Sequence, residues 1–234
     1  MDDLLLDFGK LNIPKDEKVE PPKLKTEDFG KIFEMALCLT YSIPFDGKFK
    51  YHLPDAEFLI PRLSKLKEHI TISEHVAKKG NRYDFTLQDG KFLSAKTNKN
   101  GNKVCPQVIG QPSRKKFIKF FDLYPDLTLE GIKEFIGESL HKILEKYFEY
   151  TFDCDIVYYN KPIDRLLFIK SQPVFLFKDC TLSKKGSDWN ESSTVYFENV
   201  SIGEFQIHNH RDCIKFRWNF EKLLEKLGIS FFVL

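Results

Sequence analysis

The stretch "YDFTLQDGKFLSAKTNKNG", residues Tyr83–Gly101, decides how the first half of the chain folds. Two apolar runs flank Asp89-Gly90, a dipeptide that is typical of a hairpin turn. A two-residue loop over this dipeptide would send Asp84 and Lys96 to opposite faces of the hairpin. A type I turn with Gly90 in a left-handed bulge shifts the register by one residue.

The bulged register is the one that we predict, because it separates polar from apolar side chains. It places Asp84 opposite Ser94, with Lys96 two residues further along the same face. The other face then carries the apolar residues that a helix can cover, namely Phe85, Leu93 and Ala95.

Composition indicates a folded chain with a substantial core. The 234 residues are 42% apolar and 15% aromatic, with 23 phenylalanines, which excludes disorder of the whole chain. The formal net charge of +2 neither requires nor excludes a nucleic-acid partner, because a basic surface can be balanced by acids elsewhere. The charge is locally uneven, since "KTNKNGNK" and "SRKKFIKFF" are both basic.

Several classes of protein are not expected. No run of 18 apolar residues exists, so no membrane span is predicted. The start "MDDLLLDFGK" carries acids where an export signal has a basic region. The five cysteines are widely spaced and form no CxxC pair, which favours reduced thiols in a cytoplasmic protein over a structural zinc site.

The first half of the chain predicts helices around the hairpin. Residues 1–25 end in a charged, proline-broken segment and are interpreted as an arm or tail. A first helix follows Thr26, and its core-facing residues are Phe29, Ile32, Phe33, Ala36 and Leu37. A short helix is expected around residues 60–70, another from Pro112 to before Pro125, and a long one over residues 129–151, capped by Asp126 or Thr128.

The second half reads mainly as strands. The strand-like runs are "CDIVYYN", "RLLFIKS", "PVFLFK", "STVYFENV", "GEFQIHNH" and "CIKFRWN", followed by a helix ending at Gly228 and by "ISFFVL" as a buried strand. The predicted fold class is α+β (mixed α/β), with a central mixed β-sheet flanked by helices and a β-rich C-terminal half. We expect one domain over residues 26–234, divided into a core at 26–125 and a helix plus a β-rich part at 126–234.

The hairpin resembles the active-site hairpin of the PD-(D/E)XK nuclease superfamily, in particular of type II restriction endonucleases. In that family one acid begins a strand, and an acid-x-lysine motif lies on the next strand. Here "YDF" supplies Asp84 and "SAK" supplies Lys96, with Ser94 in place of the second acid. The helix "GKIFEMALCLTY" is similar to the family's early helix, whose glutamate points toward the metal and corresponds to Glu34.

The resemblance implies a restriction-endonuclease-like fold and a Mg²⁺ site that cuts DNA. It makes Asp84, Lys96, Ser94 and Glu34 the candidate catalytic residues, with Asp84 and Glu34 as the metal ligands. A hydroxyl is a poorer magnesium ligand than a carboxylate, so either Glu34 supplies the missing charge or the site holds fewer ions. The alternative for the acid and the lysine is an ordinary cross-strand ion pair.

Two segments are predicted to contact DNA. The basic loop after Lys96 suits phosphate contacts and pairing of glutamine with adenine; its candidate residues are Lys99, Asn102, Lys103, Gln107, Gln111 and Arg114. A hairpin over residues 203–219 alternates so that one face is rich in polar and basic side chains. Its candidates are Gln206, His208, Asn209, Arg211 and Arg217.

The functional hypothesis is therefore a cytoplasmic type II restriction endonuclease that binds double-stranded DNA as a homodimer and hydrolyses phosphodiesters with Mg²⁺. A repair or nicking nuclease of the same fold is the first alternative. A DNA-binding protein without catalysis, in which Ser94 marks a lost active site, is the second.

Overall fold

The computed structural model describes residues 26–45, 53–77, 81–98, 101–183, 192–208 and 210–234. The predicted arm at residues 1–25 lies outside the described part of the chain. No helix within the described ranges is long and apolar enough to cross a lipid bilayer.

Seven α-helices lie in the described part of the chain, six of them before Asp153. They are α1 (Thr26–Tyr41), α2 (Leu53–Glu57), α3 (Ile60–Leu63), α4 (Arg114–Phe120), α5 (Leu129–Glu138), α6 (Leu140–Phe152) and α7 (Phe220–Lys226). A 3-10 turn over Ser64–Glu68 continues α3, so the predicted short helix around residues 60–70 is confirmed.

The strands of the described residues form two sheets. The strands are β1 (Ile72–His75), β2 (Phe85–Leu87), β3 (Phe92–Asn98), β4 (Lys103–Val104), β5 (Asp155–Asn160), β6 (Arg165–Ile169), β7 (Cys180–Leu182), β8 (Ser192–Phe197), β9 (Val200–Ile207), β10 (Ile214–Asn219) and β11 (Phe231–Val233). The first sheet has the order β1-β2-β3-β5-β6-β11. The β3–β5 pair is parallel, and every other neighbouring pair in this sheet is antiparallel. The second sheet has the order β4-β10-β9-β8-β7 and is antiparallel. The predicted α+β fold is confirmed.

Helix α1 covers one face of the first sheet, as its periodicity predicts. Its core residues Phe29, Ile32, Phe33, Ala36 and Leu37 are all buried. They share one hydrophobic cluster with the apolar side of the hairpin, whose members are Phe85, Leu93 and, at its edge, Ala95. Hydrocarbon therefore fills most of this face, and the polar side chains of the hairpin lie on the opposite face.

The opposite face of the first sheet packs on α5, α6 and the second sheet. Ile156 and Tyr158 of β5 join Tyr147 and Phe148 of α6 in the larger hydrophobic cluster of the molecule. Trp218 of β10 is fully buried there, together with the apolar face of β9. The polar side of the hairpin thus lies on the face that the α6 layer covers.

The long helix predicted over residues 129–151 is wrong, because two helices occupy this range. Thr128 caps α5 by accepting a hydrogen bond from the Gly131 backbone N–H at 3.1 Å, and α5 ends at Glu138. Ser139 separates α5 from α6 with φ −110° and ψ 21°, outside the helical region. Gly137 and Ser139 both have lower helix propensity than alanine, so interrupting the helix here costs less free energy than at a residue with high helix propensity.

Two further differences concern predicted strands. Residues 173–178 form no strand, although Phe177 is buried against Phe148 and Trp218. This segment begins with Pro173, which has no N–H to donate to a neighbouring strand. The aromatic side chains of the segment pack in the core without strand pairing. "ISFFVL" does form a strand, β11, but it lies at the sheet edge and leaves Val233 exposed, so it is not buried as predicted.

Candidate active site and nucleic-acid-binding surface

The hairpin of β2 and β3 adopts the bulged register. Phe85 pairs with Leu93, and the Asp84 N–H donates to the Leu93 carbonyl at 3.1 Å, so Asp84 lies opposite Ser94. Gly90 has φ +81°, a left-handed conformation that glycine adopts without steric cost. The prediction that Asp84, Ser94 and Lys96 share one face is confirmed.

The carboxylate of Asp84 is held in place by β3. Its Oδ2 accepts hydrogen bonds from the Ser94 hydroxyl at 2.9 Å and from the Ala95 backbone N–H at 2.8 Å. Ser94 is fully buried, whereas Asp84 is half-buried. Among the described residues Oδ1 of Asp84 has no partner, so one oxygen is anchored and the other is available to a ligand.

Lys96 lies on the same face as this carboxylate. Lys96 pairs with Tyr158 of β5, and Ser94 pairs with Ile156. Because Lys96 lies two residues after Ser94 on β3, both side chains lie on the same face of the sheet. The Lys96 side chain is half-buried, and its ammonium has no hydrogen bond or ion pair to any other described residue. An ammonium without a protein partner and a carboxylate with one unoccupied oxygen thus share one face of the sheet, and such groups can bind a phosphate and a cation respectively.

The segment that precedes Asp84 contacts the C-terminal end of α6. Arg82 forms an ion pair with Asp153 at 2.8 Å, and the Tyr83 hydroxyl donates to the same carboxylate at 2.5 Å. The Arg82 guanidinium also lies over the Tyr150 ring, 3.7 Å from its centre. Burial, together with the hydrogen bond to Asp153, raises the pKa of Tyr83 to about 12. These contacts fix the backbone that precedes Asp84.

A buried thiol and a buried amide line the same side of the sheet. Burial raises the pKa of the Cys154 thiol to about 12; hydrogen bonding by Gln107 lowers it, and the nearby charges of Asp84 and Lys96 act on it in opposite directions. The Gln107 amide donates from Nε2 to Cys154 Sγ at 3.5 Å and is only 5% exposed. Gln107 therefore belongs to the surroundings of Asp84 and Lys96, and it does not lie on an exposed surface as a base contact would require.

Glu34 lies on the other face of the first sheet. Its carboxylate accepts hydrogen bonds from Lys31 at 2.7 and 2.8 Å and lies 3.1 Å from Nε2 of His75. His75 pairs with Phe85, whose side chain faces α1, away from Ser94. The structure therefore does not bring Glu34 to Asp84. Within the described ranges no group of three or more His, Cys, Asp or Glu residues is arranged to hold a metal ion.

The second sheet carries a polar face formed by Lys103, Glu204, Gln206, Lys215 and Arg217. The predicted alternation is confirmed, since Gln206 pairs with Lys215 and Glu204 with Arg217, while their neighbours Phe205, Ile207, Ile214 and Phe216 enter the core. Lys103 joins this polar face from the neighbouring strand β4, through an ion pair with Glu204.

Glu204 organises the cations of this polar face. Its Oε1 accepts from Arg217 Nε at 3.0 Å, and its Oε2 pairs with Lys103. Burial raises the pKa of the Glu204 carboxyl, but the hydrogen bonds from Lys103 and Arg217 outweigh burial and hold the pKa below its ordinary value. Arg217 and Lys103 are thus each oriented by an ion pair with Glu204.

Charges of both the polar face and the hairpin site act on one thiol, that of Cys105. The charges of Lys215, Arg217 and Lys96 all act on the Cys105 thiol, although burial is the larger influence and raises its pKa. One thiol is therefore near both Lys96 of the first sheet and the cations of the second sheet. Sequence reasoning had not linked the two segments, because Cys105 and residues 204–217 are far apart along the chain.

Arg114 and Arg211, predicted separately, line one surface cavity of about 350 Å³. Lys115 and His210 contribute to the same lining, and Arg114 lies 4.0 Å from Asp212. Three basic side chains and one imidazole around a shallow cavity suit a phosphate group. This grouping follows from the backbone bond between the Ile214 N–H and the Pro112 carbonyl, which joins the start of α4 to the β10 strand.

The other predicted DNA-contact residues are scattered. Asn102 is exposed and accepts from Asn160 at 2.9 Å, Gln111 is exposed, and Gln206 is half-buried on the polar face. The half-buried His208 stacks near His210, with ring centres 5.3 Å apart. Lys99 and Asn209 lie outside the described residues. The residues missed by sequence reasoning are Glu204 and Cys154. The alternation of "GEFQ" already carried the signal for Glu204.

The order of elements defines the class of fold. A helix, a three-stranded antiparallel unit, a helical crossover and a parallel strand, with an acid and a lysine on the central hairpin, form a mixed α+β fold consistent with restriction endonucleases.

A comparison with curated proteins finds a named relative. The chain is 43% identical over 206 residues to the type II restriction enzyme CviAII of Paramecium bursaria Chlorella virus 1, which covers 86% of this chain. The chain spans 60% of the length of that enzyme. No protein-family model matches the chain, and no solved structure matches it either.

Proposed function

We propose that this chain is a type II restriction endonuclease, a site-specific deoxyribonuclease that binds double-stranded DNA and hydrolyses phosphodiesters with Mg²⁺. One observation carries the proposal: an anchored carboxylate, Asp84, shares a sheet face with an unpaired ammonium, Lys96. The similarity to a type II restriction enzyme over most of the chain supports it.

The residues present fit a hard divalent cation with few protein ligands. Oxygen atoms are the ligands that Mg²⁺ prefers, and Mg²⁺ retains several waters while taking others from phosphate. Oδ1 of Asp84 would hold the ion, because Oδ2 is occupied by Ser94 and Ala95. When bound, such an ion acidifies a coordinated water and polarises a phosphoryl oxygen.

The chain's own groups supply the remaining chemistry. Lys96 orients the attacking water and neutralises the charge that develops on the phosphate oxygens. Ser94 does not act as a ligand in this scheme, since its hydroxyl donates to Asp84 and positions the carboxylate. The buried apolar face beneath the hairpin keeps these groups in place.

DNA is proposed to lie across the polar face of the second sheet and the cavity of Arg114 and Arg211. The cations Lys103, Lys215 and Arg217 exceed the single acid Glu204, so this face is locally positive although the chain is nearly neutral. Phosphate contacts of this kind release counterions, and affinity should fall steeply as salt rises. Cutting both strands of a symmetric site would require two copies related by a two-fold axis.

The test is cleavage of a mapped plasmid in Mg²⁺ by the wild type and by two variants, Asp84→Ala and Lys96→Ala. We expect discrete fragments with the wild type and at least a roughly 100-fold slower reaction with each variant. Gel shifts in Ca²⁺ should show that both variants still bind the duplex.

The same hairpin offers matched controls. Asp89→Ala and Lys91→Ala remove an acid and a lysine at the exposed turn, where the two form their own ion pair at 2.6 Å, and both should cut like the wild type. Undiminished cleavage by Asp84→Ala would overturn the proposed site. Cleavage of many unrelated duplexes would favour a repair nuclease, and binding without any cleavage by the wild type would favour a non-catalytic protein.

A further inference from the structure

Gln107 carries a buried polar atom that the fold does not satisfy. Its Nε2 meets Cys154 Sγ, but its Oε1 has no hydrogen-bond partner among the described residues. The side chain is 95% buried, so water is largely excluded from it. A buried acceptor without a partner costs about 1–3 kcal/mol, so each such group calls for a physical explanation.

The loop that holds Gln107 is hydrogen-bonded to both α6 and β10. The Gln107 N–H donates to the Tyr150 carbonyl of α6 at 3.3 Å, and the Gly110 carbonyl accepts from the Phe216 N–H of β10 at 2.8 Å. Val108 has φ +60°, a conformation that a β-branched residue rarely adopts. Strained backbone of this kind persists where the surroundings impose it, and it is concentrated at functional sites.

Register places Cys154, the hydrogen-bond partner of Gln107, on the face of the hairpin site. Asp155 pairs with Leu93 on the α1 face, so its neighbours Cys154 and Ile156 direct their side chains to the face of Ser94. The Gln107 amide rests on Cys154, in the layer between the first sheet and α6. Oδ1 of Asp84, the Lys96 ammonium and Oε1 of Gln107 all lack partners among the described residues. Cys154 links them, because its thiol contacts the Gln107 amide and lies within reach of the charges of Asp84 and Lys96.

We propose that Gln107 supplies, through Oε1, the second protein oxygen of the cation site at Asp84, in the role that an acid would fill where this chain has Ser94. An amide carbonyl is a regular ligand of hard divalent cations. It brings no charge, so the cation would be held by one carboxylate and one neutral oxygen. This inference rests on the proposed nuclease function.

The proposal predicts opposite effects for two substitutions of Gln107. Gln107→Glu keeps the shape and adds a carboxylate, so cation affinity should rise because affinity follows ligand charge. Gln107→Leu keeps the approximate volume and removes both polar ends, so cation affinity should fall. Because Leu also removes the unsatisfied acceptor, the metal-free Gln107→Leu protein should unfold at the wild-type temperature or above.

The measurement is Mn²⁺ binding to the DNA-free protein, followed by the electron paramagnetic resonance signal of free Mn²⁺. We expect at least tenfold tighter binding for Gln107→Glu and at least fivefold weaker binding for Gln107→Leu. The matched control is Gln111→Glu, which adds the same charge at an exposed glutamine of the same loop and should change affinity less than twofold. Thermal melts with and without Mn²⁺ provide the second readout.

The outcomes separate this inference from the proposed function. Equal Mn²⁺ affinities for Gln107→Glu and Gln111→Glu, or wild-type affinity in Gln107→Leu, would overturn the role of Gln107 and leave the nuclease proposal intact if the wild type cuts DNA in Mg²⁺. A wild-type protein that neither binds Mn²⁺ nor cuts DNA would overturn both.

Discussion

The Ser94 hydroxyl donates to Oδ2 of Asp84 at 2.9 Å, so the residue predicted to stand in place of a second acid is hydrogen-bonded to the first. A serine at this position is therefore an orienting group for Asp84. Its full burial means that the hydroxyl has no solvent to bond with instead.

Replacing Ser94 by alanine should slow cleavage without removing it. The variant loses one hydrogen bond to a carboxylate, worth about 1.5–3 kcal/mol, while the bond from the Ala95 N–H remains. We expect the single-turnover rate to fall roughly 10- to 100-fold, measured with a cleavable duplex at saturating Mg²⁺. Ser73→Ala, which removes an exposed hydroxyl on the neighbouring strand β1, should have no effect on the rate. An unchanged rate in Ser94→Ala would show that the bond does not orient Asp84.

Replacing Ser94 by aspartate should make folding depend on a divalent cation. The new carboxylate would stand against that of Asp84 at a position with no solvent exposure, and two like charges in contact repel each other. We expect a lower melting temperature than the wild type without metal and a larger rise on adding Mn²⁺. Melts of both proteins across a Mn²⁺ series test this, and an equal rise in the two would contradict a cation site at Asp84.

Gly90 should tolerate other residues poorly because of its backbone conformation alone. At φ +81° an alanine is strained, although its Cβ would meet no atom within 4 Å. We expect Gly90→Ala to lose about 1 kcal/mol and roughly 2–4 °C in melting temperature, and Gly90→Asn to lose less because asparagine accepts left-handed angles. Differential scanning calorimetry measures both, and a stability ranking with Ala above Asn would contradict the bulged turn.

The hairpin was predictable because its determinants are local. A turn dipeptide sets the register, and alternation then assigns every side chain from Asp84 to Lys96 to a face. The helical periodicity of α1 is equally local, and it correctly identified the five core residues of this helix that lie between Phe29 and Leu37. In the range 129–151 the same periodicity continued through Gly137 and Ser139 and concealed the break between α5 and α6.

The contacts that complete the site were not predictable, because they join residues far apart in sequence. Glu34 has the helix position expected of a metal ligand, yet His75 and Lys31 occupy its carboxylate on the wrong face of the sheet. Gln107 looked like a solvent-exposed reader of bases, and only the docking of its loop on α6 and β10 buries it. No local pattern encodes either partnership.

Gly110 should be intolerant of any side chain, for a reason different from that of Gly90. A Cβ there would lie 2.5 Å from the Pro106 carbonyl oxygen and 2.7 Å from Cys105 Cβ, so the backbone around Gln107 must move. Overpacking of this kind costs about 1–3 kcal/mol. We expect Gly110→Ala to lower both the melting temperature and the Mn²⁺ affinity.

The control for Gly110→Ala is Gly101→Ala, which introduces a left-handed alanine at φ +76° with no atom in reach. It should cost stability but leave Mn²⁺ affinity unchanged, because the loop that contains Gln107 is not displaced. Equal Mn²⁺ affinities in the two variants would show that the loop containing Gln107 does not contribute to the cation site.

Replacing Glu204 by glutamine should destabilise the protein at neutral pH and much less in acid. The carboxyl has a depressed pKa in the folded state, so its stabilising effect is present above the unfolded value near 4.5 and is lost as the pH falls through the lower folded value. We therefore expect the melting temperatures of the wild type and Glu204→Gln to differ most at pH 6–7 and to converge below about pH 4. Glu198→Gln, which breaks an exposed ion pair with Lys226, should change little at any pH.

The same Glu204→Gln variant should bind DNA with a steeper salt dependence. Without the carboxylate, Lys103 and Arg217 lose their shared partner and become available to phosphates. Each additional phosphate contact steepens the slope of log affinity against log salt by about 0.9 in B-DNA, and the gain should appear equally with unrelated duplexes. Fluorescence anisotropy at a series of salt concentrations measures the slope. A slope equal to that of the wild type would mean that the polar face of the second sheet does not meet the DNA backbone, and the binding surface would then have to lie around Arg114 and Arg211.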